Sequence, residues 1–214
     1  MKGIVTGGTR GIGKAIVEEL RNIKVDVIST SSTDLDTSNI VRVKKFVDRE
    51  KFCDILVMNT GGPPAKDFFE IKEEEWHHFY NQLFYSFVYI LQKLYINDNG
   101  YIFLISSHTI KNPEYKLIIS NAYRVALTSV LKTLSKKFAE RNISCINIAP
   151  GPIKTDRLLS LVKDIENFEN SLPLKRAGKP EEIGLFIKSI IEYEIKYLTG
   201  VTINFDGGLS NYLF

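Results

Sequence analysis

Short β-branched runs alternating with longer segments of helical periodicity constrain this chain more than any other feature. Strand-like apolar runs lie at 3–7 (GIVTG), 25–30 (VDVIST), 53–59 (CDILVMN), 101–106 (YIFLIS), 144–150 (SCINIAP) and 200–205 (GVTINF). Helical patterns fill 14–22, 37–50, 73–95, 120–139 and 180–193. A strand, a helix and another strand make a right-handed crossover, and repeated crossovers make a parallel sheet. The strands are nearly continuous Val, Ile and Leu, as in sheets covered on both faces. The predicted fold is α/β, a doubly wound parallel sheet. No repeat, low-complexity tract or Pro/Gly-rich linker divides residues 1–214, and that length suits a single domain with one sizeable core.

Composition excludes several classes. With 44% hydrophobic and 25% charged residues the chain is not disordered. A net charge of +3, spread rather than clustered, gives no footprint for nucleic acid or an acidic membrane. Cys53 and Cys145 form no CxxC pair and fall in strand-like segments, which suggests buried thiols in a reducing compartment. His77, His78 and His108 lack ligand spacing, so no metal site is expected. An apolar strand starts within four residues of Met1, so no signal peptide is expected, and no apolar run is as long as a membrane span. A soluble cytoplasmic protein is expected.

Doubly wound sheets bind ligands beyond the carboxyl ends of their strands. After the first strand comes TGGTRGIGKAI, residues 6–16. Glycines at 7, 8, 11 and 13 let the backbone turn sharply and approach a ligand, and the following helix offers free N–H groups to an anion. Gly8 to Lys14 also fits a triphosphate-binding GxxxxGK. However, Ala15 lacks the magnesium-binding hydroxyl, and the CDILVMN strand ends in Asn59 rather than an aspartate. The spacing Gly7-x3-Gly11-x-Gly13 is a relative of the dinucleotide fingerprint.

With its neighbours this opening resembles the TGxxxGIG of the short-chain dehydrogenase/reductase family, whose fold is a single Rossmann-like domain. DLD (34–36) is similar to the family's Asp-hydrophobic pair beside the adenine, which places Asp34 and Leu35 there. NTGG (59–62) is similar to its NNAG, with Asn59 tying neighbouring strands and Gly61 near the cofactor. APGPIKT (149–155) resembles the PG motif. The resemblance implies Pro150, Gly151 and the backbone of Ile153 near the nicotinamide carboxamide, with Thr155 bonding it or the pyrophosphate. The closing segments 173–184 and 198–208 also match. Together with Gly7, Thr9, Arg10, Gly11, Ile12 and Gly13 of the first turn, these positions make the expected cofactor site. One departure is length: only SST separates VDVIST from DLD, where the family usually has a helix and a further strand. A trimmed crossover with six good strands is expected.

NAD specificity usually needs a carboxylate just after the second strand. Ser31, Ser32 and Thr33 stand there, and Arg10 matches the position where NADP-preferring relatives carry a basic residue. Arginine's planar fork suits a phosphate. NADP(H) is favoured, with NAD(H) possible.

The family's chemistry rests on Asn, Ser, Tyr and Lys. Here ISS (105–107) supplies Ser107, and the family's Ser-to-Tyr interval of 13 lands on Ser120, with Arg124 where lysine belongs. YxxxK has become SNxxR, as in a divergent branch that the chain resembles. The asparagine position, seven residues past Trp76, holds Leu83, with Asn81 nearby. Tyr89 and Lys93 form a YxxxK on the wrong helix. Arg124 keeps a charge for the cofactor ribose, whereas an alkyl hydroxyl is a far weaker acid than a phenol, and a lost general acid costs about 10²–10⁴ in rate. Tyr115, Tyr123 and His108 are conceivable replacement acids, although loop aromatics more often pack or line a pocket. Ser120 and Asn121 also read as an N-cap pair.

Two functions follow. One is an NADP(H)-dependent oxidoreductase acting on a small-molecule carbonyl or secondary alcohol, 3-oxoacyl-like compounds included, through Ser107, Ser120, Arg124 and Tyr115. The other is a catalytically inactive nucleotide-binding sensor or scaffold. Relatives dimerise through the helices equivalent to 73–95 and 120–139, so a homodimer or homotetramer is expected. Region 156–172 is the expected lid.

Overall fold

The computed structural model describes residues 1–212. Six parallel strands, β1 (Lys2–Val5), β2 (Asp26–Ser29), β3 (Phe52–Met58), β4 (Tyr95–Ile105), β5 (Ser144–Pro150) and β6 (Val201–Phe205), form one sheet in the order β2-β1-β3-β4-β5-β6. The order reverses between β1 and β3, and there a crevice opens beyond the strand ends. The expected α/β doubly wound sheet with six strands is the observed one. The crossover from β2 to β3 holds a single helix, α2 (Ile40–Glu50), which leaves β2 at the edge.

Both faces are covered, which is why the strands are apolar on both sides. One face packs Ile4, Leu56, Met58, Ile102 and Leu104 under α2, α4 (Ser86–Lys93) and α5 (Ile118–Ala139). The other packs Val5, Val57, Phe103, Ile146 and Ile148 under α1 (Gly11–Asn22) and α8 (Pro180–Glu192). Each such fully buried side chain contributes about 1.5–3 kcal/mol. Gly184 lets α1 and α8 approach closely, since a Cβ there would lie 2.7 Å from the Ala15 carbonyl oxygen. Cys53 and Cys145 are free and buried, and burial pushes both thiols up to about 12.

Three differences from expectation go beyond a shift of a few residues at an element's end. The helical pattern 73–95 is not one helix: α3 (Glu73–Tyr80) passes through a π turn (Asn81–Tyr85) into α4, and residue 95 already belongs to β4. β4 starts early because Tyr95 and Ile96 pair with Phe52 and Cys53 before the register shifts. Helix α5 begins at Ile118 with Leu117 as N-cap, so Ser120 and Asn121 are interior positions and not caps. Residues 156–172 hold two short helices, α6 (Asp156–Leu161) and α7 (Ile165–Ser171), packed through Leu158 and Phe168.

Candidate functional site

The cradle at the switch point is built by interlocking bonds between β1 and β3. Thr6, only 1% exposed, donates its hydroxyl to the Asn59 carbonyl at 2.6 Å and accepts the Asn59 N–H at 2.8 Å. The Asn59 amide donates to the carbonyls of Gly7 at 3.1 Å and Thr6 at 3.3 Å. Asn59 is therefore the tie between strands that its motif implied. Gly7 and Gly11 have φ of +58° and +52°, which a side chain resists. A Cβ on Gly13 would collide with the Gly7 carbonyl.

The Gly8 amide bonds Thr30 at 2.9 Å and Lys14 closes the first helical turn on Arg10 at 3.2 Å. The amides of Thr9, Arg10, Gly11, Ile12 and Gly13 find no acceptor among the described residues. Five free donors at the positive end of a twelve-residue helix form a cradle for an anion the size of a pyrophosphate. The β5 loop closes over it, because a Cβ on Gly11 would sit 3.2 Å from the Thr155 methyl. Thr155 donates to Ile153 at 3.2 Å, and Ile153 pairs with Gly178. Gly151 is packed against Asp206, and its amide bonds Phe205 at 3.0 Å. Nothing lies within 4 Å of a Cβ built on Gly61, so the crevice is open there. These residues fit a dinucleotide.

The turn after β2 departs from its expected arrangement. Asp34 folds back onto Ser31, accepting its N–H at 3.0 Å and its hydroxyl at 2.6 Å. Those bonds to Ser31 hold its carboxyl below the usual range. A carboxylate thus stands at the end of β2, where the sequence shows only Ser31, Ser32 and Thr33. Leu35 does not line the crevice: it is 4% exposed and belongs to the core with Val43 and Phe46. Its burial anchors the shortened crossover. Arg10 is exposed, and Arg42 of α2 donates to the Thr33 carbonyl at 3.3 Å beside the same turn.

The catalytic candidates divide. Arg124 is buried, and its fork holds four acceptors: Ser120 Oγ (Nε, 3.1 Å), the carbonyls of Ile105 and Ser106 (Nη1, 2.9 and 3.4 Å), and the Thr60 carbonyl (Nη2, 3.2 Å). The guanidinium therefore sits across the carboxyl ends of β3 and β4 with one N–H uncommitted. Burial and the charge of Arg157 lower it to about 10, still cationic at neutral pH. Ser107 Oγ accepts from the Thr109 N–H at 3.2 Å and hydroxyl at 3.0 Å. Its own proton is left to give. Ser120, Arg124 and the end of β4 are brought together.

Tyr115 is not brought to them. It lies in a 3₁₀ turn, 56% exposed, with its hydroxyl donating to Asp67 at 3.2 Å. Tyr123 points to α3, donating to the Trp76 carbonyl at 3.2 Å. His108 is tied on both sides, Nδ1 to the Pro150 carbonyl at 3.2 Å and Nε2 to Glu114 at 3.3 Å.

Two polar residues escaped the sequence reading. Gln82, in the π turn, donates to the Gly61 carbonyl at 3.0 Å, whereas its neighbour Leu83 is 1% exposed. The wide turn aims residue 82 at the crevice, and helical counting does not reveal a π turn. Arg157 of α6 donates to the Pro63 carbonyl. The available signal was its place just after Thr155.

The sheet order and the amide-lined glycine turn define a Rossmann-class α/β protein. Residues 34–210 match the family model described as Enoyl-(Acyl carrier protein) reductase. The chain belongs to the short-chain dehydrogenase/reductase family of oxidoreductases. It is 28% identical over 234 residues to the 3-oxoacyl-(acyl-carrier-protein) reductase FabG of Buchnera aphidicola subsp. Baizongia pistaciae, covering 96% of each chain. It is 30% identical over 240 residues to the protein of that name from Thermotoga maritima, again covering 96% of each. L-sorbose reductase of Gluconobacter frateurii, solved with NADPH and L-sorbose, superposes with a TM-score of 0.85 at 23% identity, covering 99% of this chain and 97% of that one. A short-chain dehydrogenase family protein of Francisella tularensis superposes at 0.87 with 22% identity, covering 97% and 98%. No described helix is long and apolar enough to cross a membrane.

Proposed function

We propose that this protein is an NADP(H)-dependent oxidoreductase acting on a carbonyl or secondary alcohol, 3-oxoacyl-like compounds included, with a serine and arginine replacing the usual tyrosine and lysine. The observation that carries this reading is the 3.1 Å bond from Arg124 Nε to Ser120 Oγ. A bound nicotinamide supplies or takes the hydride. In the reductive direction Ser107 donates a hydrogen bond to the carbonyl oxygen and Ser120 gives it a proton. The neighbouring guanidinium stabilises the alkoxide this leaves on Ser120 until solvent restores the proton. The amides of Thr9 to Gly13 hold the pyrophosphate, and Arg10 meets the adenosine-side phosphate. The 3-oxoacyl reductases among the relatives support this substrate class.

The second reading, a nucleotide-binding sensor or scaffold, is favoured by one observation. Four of Arg124's donors are already engaged, so its grip on a ribose is limited to the one remaining N–H. Paired measurements separate the two. Titration of NADPH fluorescence is expected to show binding, and a panel of aldehydes, ketones and 3-oxoacyl thioesters is expected to show turnover. Binding without turnover would leave the sensor reading standing alone. A homodimer or homotetramer through α3, α4 and α5 accompanies either reading, and light scattering measures it.

A further inference from the structure

Beside Ser120 the crevice brings two guanidinium groups to one point. A Cβ built on Gly62 would lie 3.9 Å from Arg124 Nη2, from Arg157 Nη2 and from Ser120 Oγ. Two guanidinium tips and the proton-donating hydroxyl therefore surround one point. Neither guanidinium is bonded to a carboxylate among the described residues: the protein acceptors are backbone carbonyls and, for Arg124, Ser120. Arg157 spends one N–H on Pro63 and keeps four without a protein acceptor, while Arg124 keeps one. Full burial disfavours the charge of Arg124, which Arg157 disfavours further, while Arg157 itself is exposed and only partly desolvated. An anion placed between them removes that repulsion and takes up the open fork.

We propose that Arg157, helped by the free N–H of Arg124, receives a carboxylate of the substrate, so that the substrate is a short 2- or 3-oxo acid or the matching hydroxy acid. This rests on the reading that Ser120 serves the reacting oxygen. Arg157 Nη2 and Ser120 Oγ are no further apart than the sum of their reaches to the Gly62 point. A carboxylate on one and a carbonyl oxygen on the other therefore fit on one small molecule, and a short oxo acid is the smallest that carries both. A planar carboxylate matches the guanidinium fork.

The test uses the whole protein. Binding of malonate, which cannot be reduced, is measured by calorimetry in the wild type and in Arg157→Gln. NADPH-dependent reduction of acetoacetate is then compared with that of methyl acetoacetate. The wild type is expected to bind malonate and to prefer the acid, and Arg157→Gln is expected to lower the acid-to-ester ratio of kcat/KM about 10- to 100-fold. Arg157→Lys, which keeps the charge, is expected to retain part of that ratio, and it serves where the glutamine variant fails to fold. Turnover of the ester with no malonate binding and no acid preference overturns the proposal while leaving the oxidoreductase reading intact. Arg157-dependent malonate binding without reduction of either compound overturns the oxo-acid assignment of the anion site, and the wider carbonyl panel then decides the oxidoreductase reading.

Discussion

Arg124 donates to Ser120 one helical turn earlier, and the same guanidinium ties the Thr60 carbonyl after β3 to the Ile105 and Ser106 carbonyls at the end of β4. One side chain is thus both a clamp on the sheet and the electrostatic partner of a catalytic candidate. The two roles separate under mutation. Arg124→Lys keeps the charge but not the fork. Several buried carbonyls lose their donor, at about 1–3 kcal/mol for each group left unsatisfied. Chemical denaturation is expected to show a clear loss of stability, and an unchanged midpoint would mean that the clamp contributes nothing.

Ser120→Ala removes the proposed proton donor without removing the guanidinium. Turnover is expected to fall about 10²-fold or more. NADPH affinity, read by fluorescence, is expected to stay near the wild-type value. Equal losses in both would place Ser120 in cofactor binding instead.

The cradle tolerates no side chain at Gly13. A Cβ there meets the Gly7 carbonyl and lies 2.8 Å from the Asn59 amide nitrogen, so the turn has to open. Gly13→Val is expected to weaken dinucleotide binding more than tenfold in a titration and to lower Tm. Unaltered affinity would dismiss the cradle as the pyrophosphate site.

On the proposed reading, cofactor preference is expected to turn on opposite charges near the adenosine end. Asp34 presents a carboxylate at the end of β2, which opposes a 2′-phosphate, while Arg10 is exposed in the first turn and attracts it. Arg10→Ala is expected to weaken NADPH binding about tenfold and NADH little, since charged hydrogen bonds contribute about 1.5–3 kcal/mol. Asp34→Ala is expected to move the preference the other way. If Asp34→Ala strengthens neither cofactor, its carboxylate is only a turn cap for Ser31.

Helix α8 begins at a pH-dependent junction. Glu182 takes Arg176 at 2.8 Å on each oxygen and the Lys179 N–H at 2.7 Å. The Arg176 bond is the largest cause of its lowering from 4.5 to about 2. A depressed folded-state value contributes stability that is fully present above about 4.5 and is lost as pH falls through about 2. The Tm gap between wild type and Glu182→Gln is expected to be widest near neutrality and to close across that window. The pair is partly exposed, so salt is expected to narrow the gap as well.

Alternating strands and helices carried the sheet, because a strand covered on both faces has to be apolar throughout, and that is written locally. Glycines 7, 11 and 13 carried the cradle for the same reason: two need positive φ and the third needs the space of a missing Cβ. What stayed hidden depends on where side chains end. The π turn aims Gln82 at Gly61, the fold-back of Asp34 sets a carboxylate after β2, and Leu35 lies in the core instead of the crevice. Arg124 counts as a lysine substitute along the chain, yet its donors are largely taken by carbonyls from residues 18 to 64 positions away. Its approach to Arg157 across Gly62 likewise exists only once β3, α5 and α6 are packed together. The order of residues determined which backbone can form; the packed chain decided which charges and hydroxyls share one corner, because electrostatics acts across space and takes no account of distance along the chain.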